Sequence, residues 1–501
     1  MKKGILALIV LLNGTLLMAQ AEFDALKFIQ PDINGTARYM SMAGAFGALG
    51  GDVSGIKDNP AGLGIFKNSQ IVGTASFLMQ SSDANWYNVK GAENLSKIGY
   101  NNFSGVYFLP LKKGEDDKGL LNCNFSFSYN RLKNFNRKMT IKGKSNNSSL
   151  ADYIESSLKY SNIIDSNLVY SNNMPWISVL SYEGGLIRHN GFWQSVLTNQ
   201  TVIPTYNLTE KGYIDEYALS WAGNYSNFIY FGATANIQAI NYTAVSDYNE
   251  TYNDGLTMKL MDSIYTKGTG VSFNIGAIIC PLKYLRVGLS VHTPTLYALT
   301  NKNHATLNND TITATTPEGS YQYKLRNPLQ LSASVAYLLG DKANVSVEYD
   351  FSNSTGTEML DVNGVATDSG TVNSRMKEKY NAVHTFKFGV EYNITNEISV
   401  RAGYAFSNSL IKADSAYTEP TRLIRSNYRT DTEYFFINNT SYITFGCGYH
   451  KPKWSVDLAY MNKTYNELFY PYDSSAMSRK TEGATIKTTN NNLVLTFAYK
   501  F

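Results

Sequence analysis

The stretch LVLTFAYKF, Leu493–Phe501, closes the sequence and alternates in polarity from one residue to the next. Leu493, Leu495, Phe497 and Tyr499 fall on one face together with the final aromatic, Phe501. In an extended strand successive side chains point to opposite faces, so this spacing predicts a β-strand with one wholly apolar face.

The same period of two recurs through most of the chain after about residue 70. Clear examples span residues 122–129, 329–337, 344–351 and 385–392. A two-faced strand suits either a soluble β-sandwich, with the apolar face inward, or a membrane barrel, with the apolar face outward.

The lengths of the connections favour the barrel. Short connections, at 223–227, 281–283, 340–342, 394–396 and 451–453, alternate with long polar ones, at 243–269, 294–326, 352–383, 407–440 and 462–490. An up-and-down transmembrane barrel has tight turns at one end and long loops at the other. A sandwich has no reason to collect its long loops at one end.

Counting strands back from the C-terminus gives an all-β, antiparallel barrel of about fourteen strands, an even number as expected for one chain. The predicted strands lie near 69–80, 98–110, 121–131, 213–222, 228–242, 270–280, 284–293, 327–339, 343–353, 384–393, 397–406, 441–450, 454–461 and 493–501. The excursion 132–212 carries a helical pattern at Ser149–Tyr160, with Ser149 as its N-cap.

Composition agrees with a membrane barrel. Charged residues make up only 17% of the chain, and Tyr is abundant at 37 residues. The net charge of +4 provides no basic stripe, which argues against nucleic acid as a partner. Cys123, Cys280 and Cys447 are far apart, and the histidines form no metal-spaced group. We therefore predict no metal, no cofactor and no catalytic residues.

The first 21 residues have the features of a secretory signal peptide: a basic start, an apolar run to Met18, and Ala19-Gln20-Ala21 as a cleavage site. We expect cleavage after Ala21, with cleavage after Ala19 as the alternative. The run is short for a membrane helix. The predicted destination is the outer membrane of a Gram-negative bacterium.

Before the first barrel strand, Ser41–Gly64 reads SMAGAFGALGGDVSGIKDNPAGLG. A phosphate-binding loop would need a Lys-Ser/Thr pair or a βαβ unit, and neither is present. Small residues instead permit close packing against a barrel wall. We therefore assign 22–66 to a hatch that plugs the barrel and 67–501 to the barrel itself.

These residues also carry a family resemblance. GTARYMSMAGAFGALGGDVSGIKDNPAGLG, Gly35–Gly64, resembles the N-terminal hatch of the FadL/TodX (OMPP1) family, and most closely its Bacteroidota-type members, some of them labelled hemin receptors. The hatch motif comprises Gly47, Gly50, Gly51, Asn59, Pro60, Ala61 and Gly62. The final Phe501 likewise resembles the assembly signal of bacterial outer-membrane proteins.

The resemblance implies passive transport of long-chain fatty acids or other hydrophobic small molecules through a plugged barrel set in outer-membrane lipid. The candidate ligand-binding residues are Arg38, Phe46, Leu49, Leu63, Trp176, Phe192 and Trp193. For the hatch apolars we favour packing of the hatch against the wall. The outer aromatics could form an entry groove, and they could equally anchor an extra strand or lie at the membrane interface. A ligand carboxylate could meet Arg38, Arg286, Arg401 or Lys387, unless these pair with lumen carboxylates.

The sequence is compatible with three other functions. Some relatives of this family, of the PorV type, assist protein secretion or surface attachment, and hemin uptake is a further alternative. An outer-membrane enzyme is the third class, although no nucleophile motif is visible.

Overall fold

The structure is a computed structural model. It describes residues 22–30, 32–111, 118–144, 146–161, 163–171, 174–196, 201–366, 372–412, 429–474, 477 and 480–501. The expected signal peptide, residues 1–21, lies outside the described residues. In the described part of the chain, no helix is both long enough and apolar enough to cross a membrane.

Fourteen long strands form one closed, antiparallel barrel. In chain order they are β1 (Gln70–Trp86), β2 (Val89–Pro110), β3 (Leu120–Asn134), β4 (Val202–Tyr225), β5 (Ile229–Tyr252), β6 (Thr257–Leu282), β7 (Leu285–His292), β8 (Gln330–Leu339), β9 (Ala343–Asn353), β10 (Ala382–Asn393), β11 (Ile398–Ser407), β12 (Tyr434–His450), β13 (Trp454–Tyr470) and β14 (Ala484–Lys500).

Each strand pairs with its neighbour in the chain, and the barrel closes where β14 pairs with β1. In that closing ladder Ile71 lies opposite Tyr499 and Asn85 lies opposite Thr485. The fourteen-stranded barrel predicted from the sequence is therefore confirmed. Closure in this way gives every barrel strand a partner on both sides, as a hydrocarbon environment requires.

The apolar faces of the strands point outward. Leu331 on β8 is 41% exposed, whereas its neighbour Ser332 is buried. The same holds on β9, where Val347 is exposed and Ser346 and Glu348 are buried. The predicted alternation thus places apolar side chains toward lipid and polar ones toward the lumen.

Several strands run further than the sequence predicted. β4, β5 and β6 contain 24, 24 and 26 residues, so most of the predicted loop 243–269 is a strand hairpin. The outward face of β5 becomes polar at Asn241, Thr243 and Asp247, as expected for strands that continue beyond the bilayer. The change to polar residues on the outward face marks the edge of the bilayer, and these strands continue beyond that edge.

Residues 22–66 lie inside the barrel. They form helices α1 (Glu22–Ile29) and α2 (Ala37–Ser41), and 3₁₀ turns at Gly55–Lys57 and Pro60–Ile65. α2 contacts β11 to β14, and the Pro60–Ile65 turn contacts β3 to β6. The hatch thus touches the wall on two sides of the lumen.

The long-loop end carries smaller elements. Its helices are α3 (Leu150–Tyr160), α4 (Trp176–Glu183) and α5 (Val372–Lys379), with 3₁₀ turns at Ser166–Tyr170 and Ser354–Gly356. Short strands lie at Arg137–Lys142, Ile187–His189, Trp193–Ser195, Leu296–Asn308, Thr313–Thr315, Gly319–Arg326 and Glu358–Leu360. Asp152 N donates to Ser149 Oγ at 3.1 Å, so the predicted helix and its cap are confirmed.

Candidate functional site

The glycines of the hatch lie where its backbone approaches other groups too closely for a side chain. A Cβ on Gly47 would sit 2.7 Å from Glu348 Oε2 and from Ser334 Oγ on the wall. Gly50 has φ +61° and its Cβ would lie 3.0 Å from Gly62 Cα. Gly51, with φ +68°, completes this turn. Close packing accounts for the glycines here.

Asn59 ties the hatch turn to the barrel wall. Its Nδ2 donates to Gly47 O at 2.7 Å and to Ala277 O of β6 at 3.2 Å, while its Oδ1 accepts from Ala61 N at 3.1 Å. Pro60 begins the 3₁₀ turn that contains Ala61 and Gly62. The wall makes room with glycines of its own: a Cβ on Gly276 would lie 2.0 Å from Asn59 Oδ1.

The hatch carries buried charge. Burial raises the pKa of Asp52, although Arg38 and the Thr36 hydroxyl, which donates to it at 2.8 Å, act in the other direction. Burial also lowers the pKa of Lys57, whose ammonium donates to Asn34 O and lies 4.6 Å from the centre of the Tyr39 ring.

All four cations proposed from the sequence already have partners. Arg38 binds Glu391 at 2.8 Å, and Arg401 bridges Glu391 and Asp457 at 2.5 and 2.6 Å. Lys387 binds Glu348 at 2.7 Å and Asp350 at 2.8 Å, and Arg286 donates to Leu49 O. Arg38, Arg401 and Lys387 thus pair with lumen carboxylates, which is the alternative the sequence left open, whereas Arg286 binds the backbone of the hatch.

The hatch apolars Phe46, Leu49 and Leu63 are buried between hatch and wall. Trp193 is buried too, with its Nε1 donating to Ile163 O at 2.7 Å. Trp176 is half-buried, and Phe192 is 57% exposed at the tip of the Ile187–Ser195 hairpin. None of these residues, nor Arg38, lines either of the two lumen cavities that the described residues enclose.

The upper cavity, on the long-loop side of the hatch, has a volume of about 220 Å³. Aromatic and aliphatic side chains form much of its wall: Leu26, Phe135, Ile177, Tyr206, Tyr242 and Leu410. Carboxylates of Asp262, Asp431 and Glu433 line it at β6 and just before β12. Such a cavity accepts an apolar molecule that carries a polar group.

Two lysines in the upper cavity have no carboxylate partner within the described chain. Lys133 Nζ donates to the backbone oxygens of Lys27 and Gln30, at 2.9 and 3.1 Å. Lys27 Nζ lies 4.9 Å from the centre of the Tyr242 ring. By contrast, Arg137 pairs with Glu467 at 2.7 Å and Lys463 pairs with Asp32.

The sequence offered no signal for these lysines. Lys27 and Lys133 are separated by more than a hundred residues, and neither stands in a motif.

A lower cavity of about 190 Å³ lies between hatch and wall, and its lining mixes apolar and charged side chains. Its lining includes Lys57, Asp58, Glu216, His292 and Lys387. Gln30 and Asp32, which follow α1, line both cavities. These two residues of the hatch therefore lie at the boundary between the two cavities.

The ladder between β2 and β3 is incomplete. It runs from Pro110↔Asn122 to Asn102↔Asn130, beyond which β2 pairs with β1 alone and β3 pairs with β4 alone. The residues that follow β3 at this point, Phe135–Arg137, line the upper cavity. We call this interruption the β2–β3 gap; it places the cavity next to a break in the wall.

Taken together, the fold and its contents define a transmembrane β-barrel plugged by its own N-terminal segment. Residues 222–419 match the family model described as outer membrane protein transport protein (OMPP1/FadL/TodX). This match supports the resemblance of the chain to that family of outer-membrane proteins.

Solved structures show the same fold along nearly the whole chain. A Pseudomonas aeruginosa FadL homologue is 11% identical, with a TM-score of 0.55, and the alignment covers 94% of this chain and 99% of that one. The Pseudomonas putida toluene transporter TodX is 12% identical, with a TM-score of 0.54 and the same coverage. No curated protein sequence matches the chain at a significant level.

Proposed function

We propose that this protein carries hydrophobic small molecules across the outer membrane by diffusion, through the upper cavity of its plugged barrel. The family match supports transport, and the cavity supplies a space for the ligand. Apolar surface that leaves water for such a cavity gains roughly 25 cal/mol per Å². The cavity thus favours solutes that a polar outer surface resists.

The choice of ligand rests on two lysines in the upper cavity, Lys27 and Lys133. Two ammonium groups that have no carboxylate partner among the described residues lie beside aromatic rings. An amphipathic anion satisfies both features, since its carboxylate would bind the ammonium groups while its chain lies against Phe135 and Tyr242. We infer that the preferred ligand is a long-chain fatty acid rather than a neutral hydrocarbon.

Entry from outside would pass the α4 region. Pro175 and Ile177, at the start of α4, line the upper cavity, and Trp176 between them is half-buried. Phe192, nearby in the chain, is exposed. These positions would form the first apolar contact for an incoming ligand, as the sequence analysis proposed for Trp176 and Phe192.

For release, the β2–β3 gap is the favoured route. The path through the hatch is closed by contacts between hatch and wall, such as Arg38 with Glu391 and Asn59 with Ala277 O. The gap instead leads from the upper cavity toward lipid. We therefore propose that the ligand leaves sideways while the hatch stays in place.

Lys133→Met tests the proposed ligand class. Loss of a hydrogen-bonded charge should weaken binding of a labelled long-chain fatty acid about tenfold in a fluorescence titration of the purified barrel. Transfer of the fatty acid into proteoliposomes should fall accordingly, whereas binding of a neutral aromatic hydrocarbon should stay within about twofold of wild type.

Lys138→Met is the matched control, because Lys138 is an exposed lysine on the adjoining strand Arg137–Lys142. It should leave both ligands unaffected. If Lys133→Met weakens the binding of fatty acid and hydrocarbon equally, the carboxylate contact is refuted. Absence of any transfer by the wild-type barrel would refute transport.

The comparisons favour neither hemin uptake nor a role in secretion.

A further inference from the structure

The lipid-facing surface of the barrel has an apolar groove near the short-turn end, the end that carries the turns at 226–228, 283–284, 340–342, 394–397 and 451–453. The groove has a volume of about 790 Å³ and crosses the outward faces of β1 to β6. Ile71, Tyr107, Phe127, Trp221, Phe273 and Phe501 are among its walls.

Small residues make this groove possible on a wall that is otherwise convex. Gly105, Ala233 and Ala235 lie within it, between the larger aromatic side chains. A Cβ placed on Gly105 would meet nothing within 4 Å. The groove therefore forms because the side chains at these positions are small. The strands themselves continue through it.

Three lysines lie together where β1, β13 and β14 meet at the short-turn end, beside Phe501. Lys500 N donates to Lys453 O at 2.7 Å, and Phe501 N donates to Ser69 O, two residues after Lys67, at 3.0 Å. In the described chain no ion pair involves this lysine cluster. The carboxylate of Phe501 offsets one of the three lysine charges, so the cluster as a whole remains positively charged.

Aromatic side chains indicate that this cluster is level with lipid headgroups. Tyr499 is 46% exposed on the outward face and lies opposite Trp454, whose ring packs edge-on against Tyr449 at 5.6 Å. Tyr and Trp concentrate at the membrane–water interface. Lysines at that level reach the phosphate groups with their ammonium ends.

We propose that the groove and the lysine cluster (Lys67, Lys453 and Lys500) form a binding site for one anionic phospholipid of the periplasmic leaflet. An acyl chain occupies the apolar groove, and the headgroup phosphate binds the three ammonium groups. Charge complementarity and continuity with the lipid-facing surface select this occupant. A second copy of the chain is a poorer fit, because a two-fold interface would place two lysine clusters near each other.

The double variant Lys67→Gln/Lys453→Gln tests the headgroup contact. Full-length barrel in mild detergent is given equal amounts of phosphatidylglycerol and phosphatidylethanolamine with identical chains, and retained lipid is counted by native mass spectrometry. Each lysine near a lipid surface contributes about a fivefold preference for anionic lipid. The double variant should therefore lower the phosphatidylglycerol preference roughly 25-fold.

Lys283→Gln/Lys342→Gln is the matched control, since it removes the same charge from exposed turns at the same end but away from the cluster. It should leave the preference within about twofold of wild type. An equal loss in the control, or no preference in wild type, overturns the proposal.

Gly105→Leu tests the groove independently of charge, and the open space at its Cβ allows the barrel to fold. Heat-dependent gel mobility checks that it has folded. Retention of both lipids should fall severalfold, because the leucine fills the space of an acyl chain. Unchanged retention, or a wild-type dimer that Gly105→Leu dissociates, overturns the proposal.

Discussion

At the scale of single residues, the lumen contains buried ion pairs as well as lysines that have no carboxylate partner among the described residues. Lys387 belongs to the first group, since its side chain is 7% exposed and lies between Glu348 and Asp350. Removing one partner of a buried ion cluster leaves uncompensated charge, which costs about 3–5 kcal/mol. Lys387→Met should therefore lower the free energy of unfolding by about this amount in a urea titration of the folded barrel in lipid.

Lys283→Met provides the comparison, because Lys283 is exposed in a turn and forms no ion pair in the described chain. Its effect should stay within about 0.5 kcal/mol. Similar losses for the two variants would contradict the structural role of Lys387.

At the scale of elements, the β2–β3 gap is the proposed exit for the ligand, and counting strands does not reveal it. Lys97 on β2 donates to Asn136, just after β3, so these two side chains meet across the gap. The test starts from a variant in which Cys123, Cys280 and Cys447 are replaced by Ala. Lys97→Cys and Asn136→Cys are added to it, and a reducible bis-thiosulfonate linker joins the two new thiols. The linked protein should release much less fatty acid into the lipid. Ligand binding should persist, since the upper cavity is unaltered.

Release is measured as transfer of labelled fatty acid from loaded barrel to vesicles, before and after reduction of the linker. Each single-cysteine variant, treated identically, should behave as the parent does. Undiminished release from the linked protein would exclude the gap as the exit.

At the scale of the whole molecule, a cylinder of fourteen strands is wider than the eight-stranded barrels that side chains alone can fill. Here the hatch, inside the described barrel, fills much of the lumen between the upper cavity and the short-turn end. Deleting residues 22–66 should convert a closed barrel into a water-filled pore. Planar bilayers should then show discrete, ohmic conductance steps where the intact protein shows background current only.

The deletion variant must first show heat-dependent gel mobility, which reports a folded barrel. A folded variant with no more conductance than the intact protein would mean that the hatch does not seal the lumen.

The local pattern of the sequence determined the number of strands, their faces and the presence of a hatch. A period of two is a property of neighbouring residues, and a shift of one residue would turn every apolar side chain into the lumen, so the pattern admits one assignment. The cap Ser149 of α3 is equally local. The Asn59–Gly62 turn and the glycines near it were recognisable for the same reason.

Only the tertiary structure decided which groups are free and where the spaces lie. Arg38 meets Glu391 across 353 positions of the chain, whereas Lys133 donates to backbone oxygens and lies over the Phe135 ring. No local spacing distinguishes these two cations, because the partner of each is set by strand register and by the path of the hatch. The cavities, the β2–β3 gap and the lipid-facing groove likewise depend on side-chain volumes that distant strands bring together.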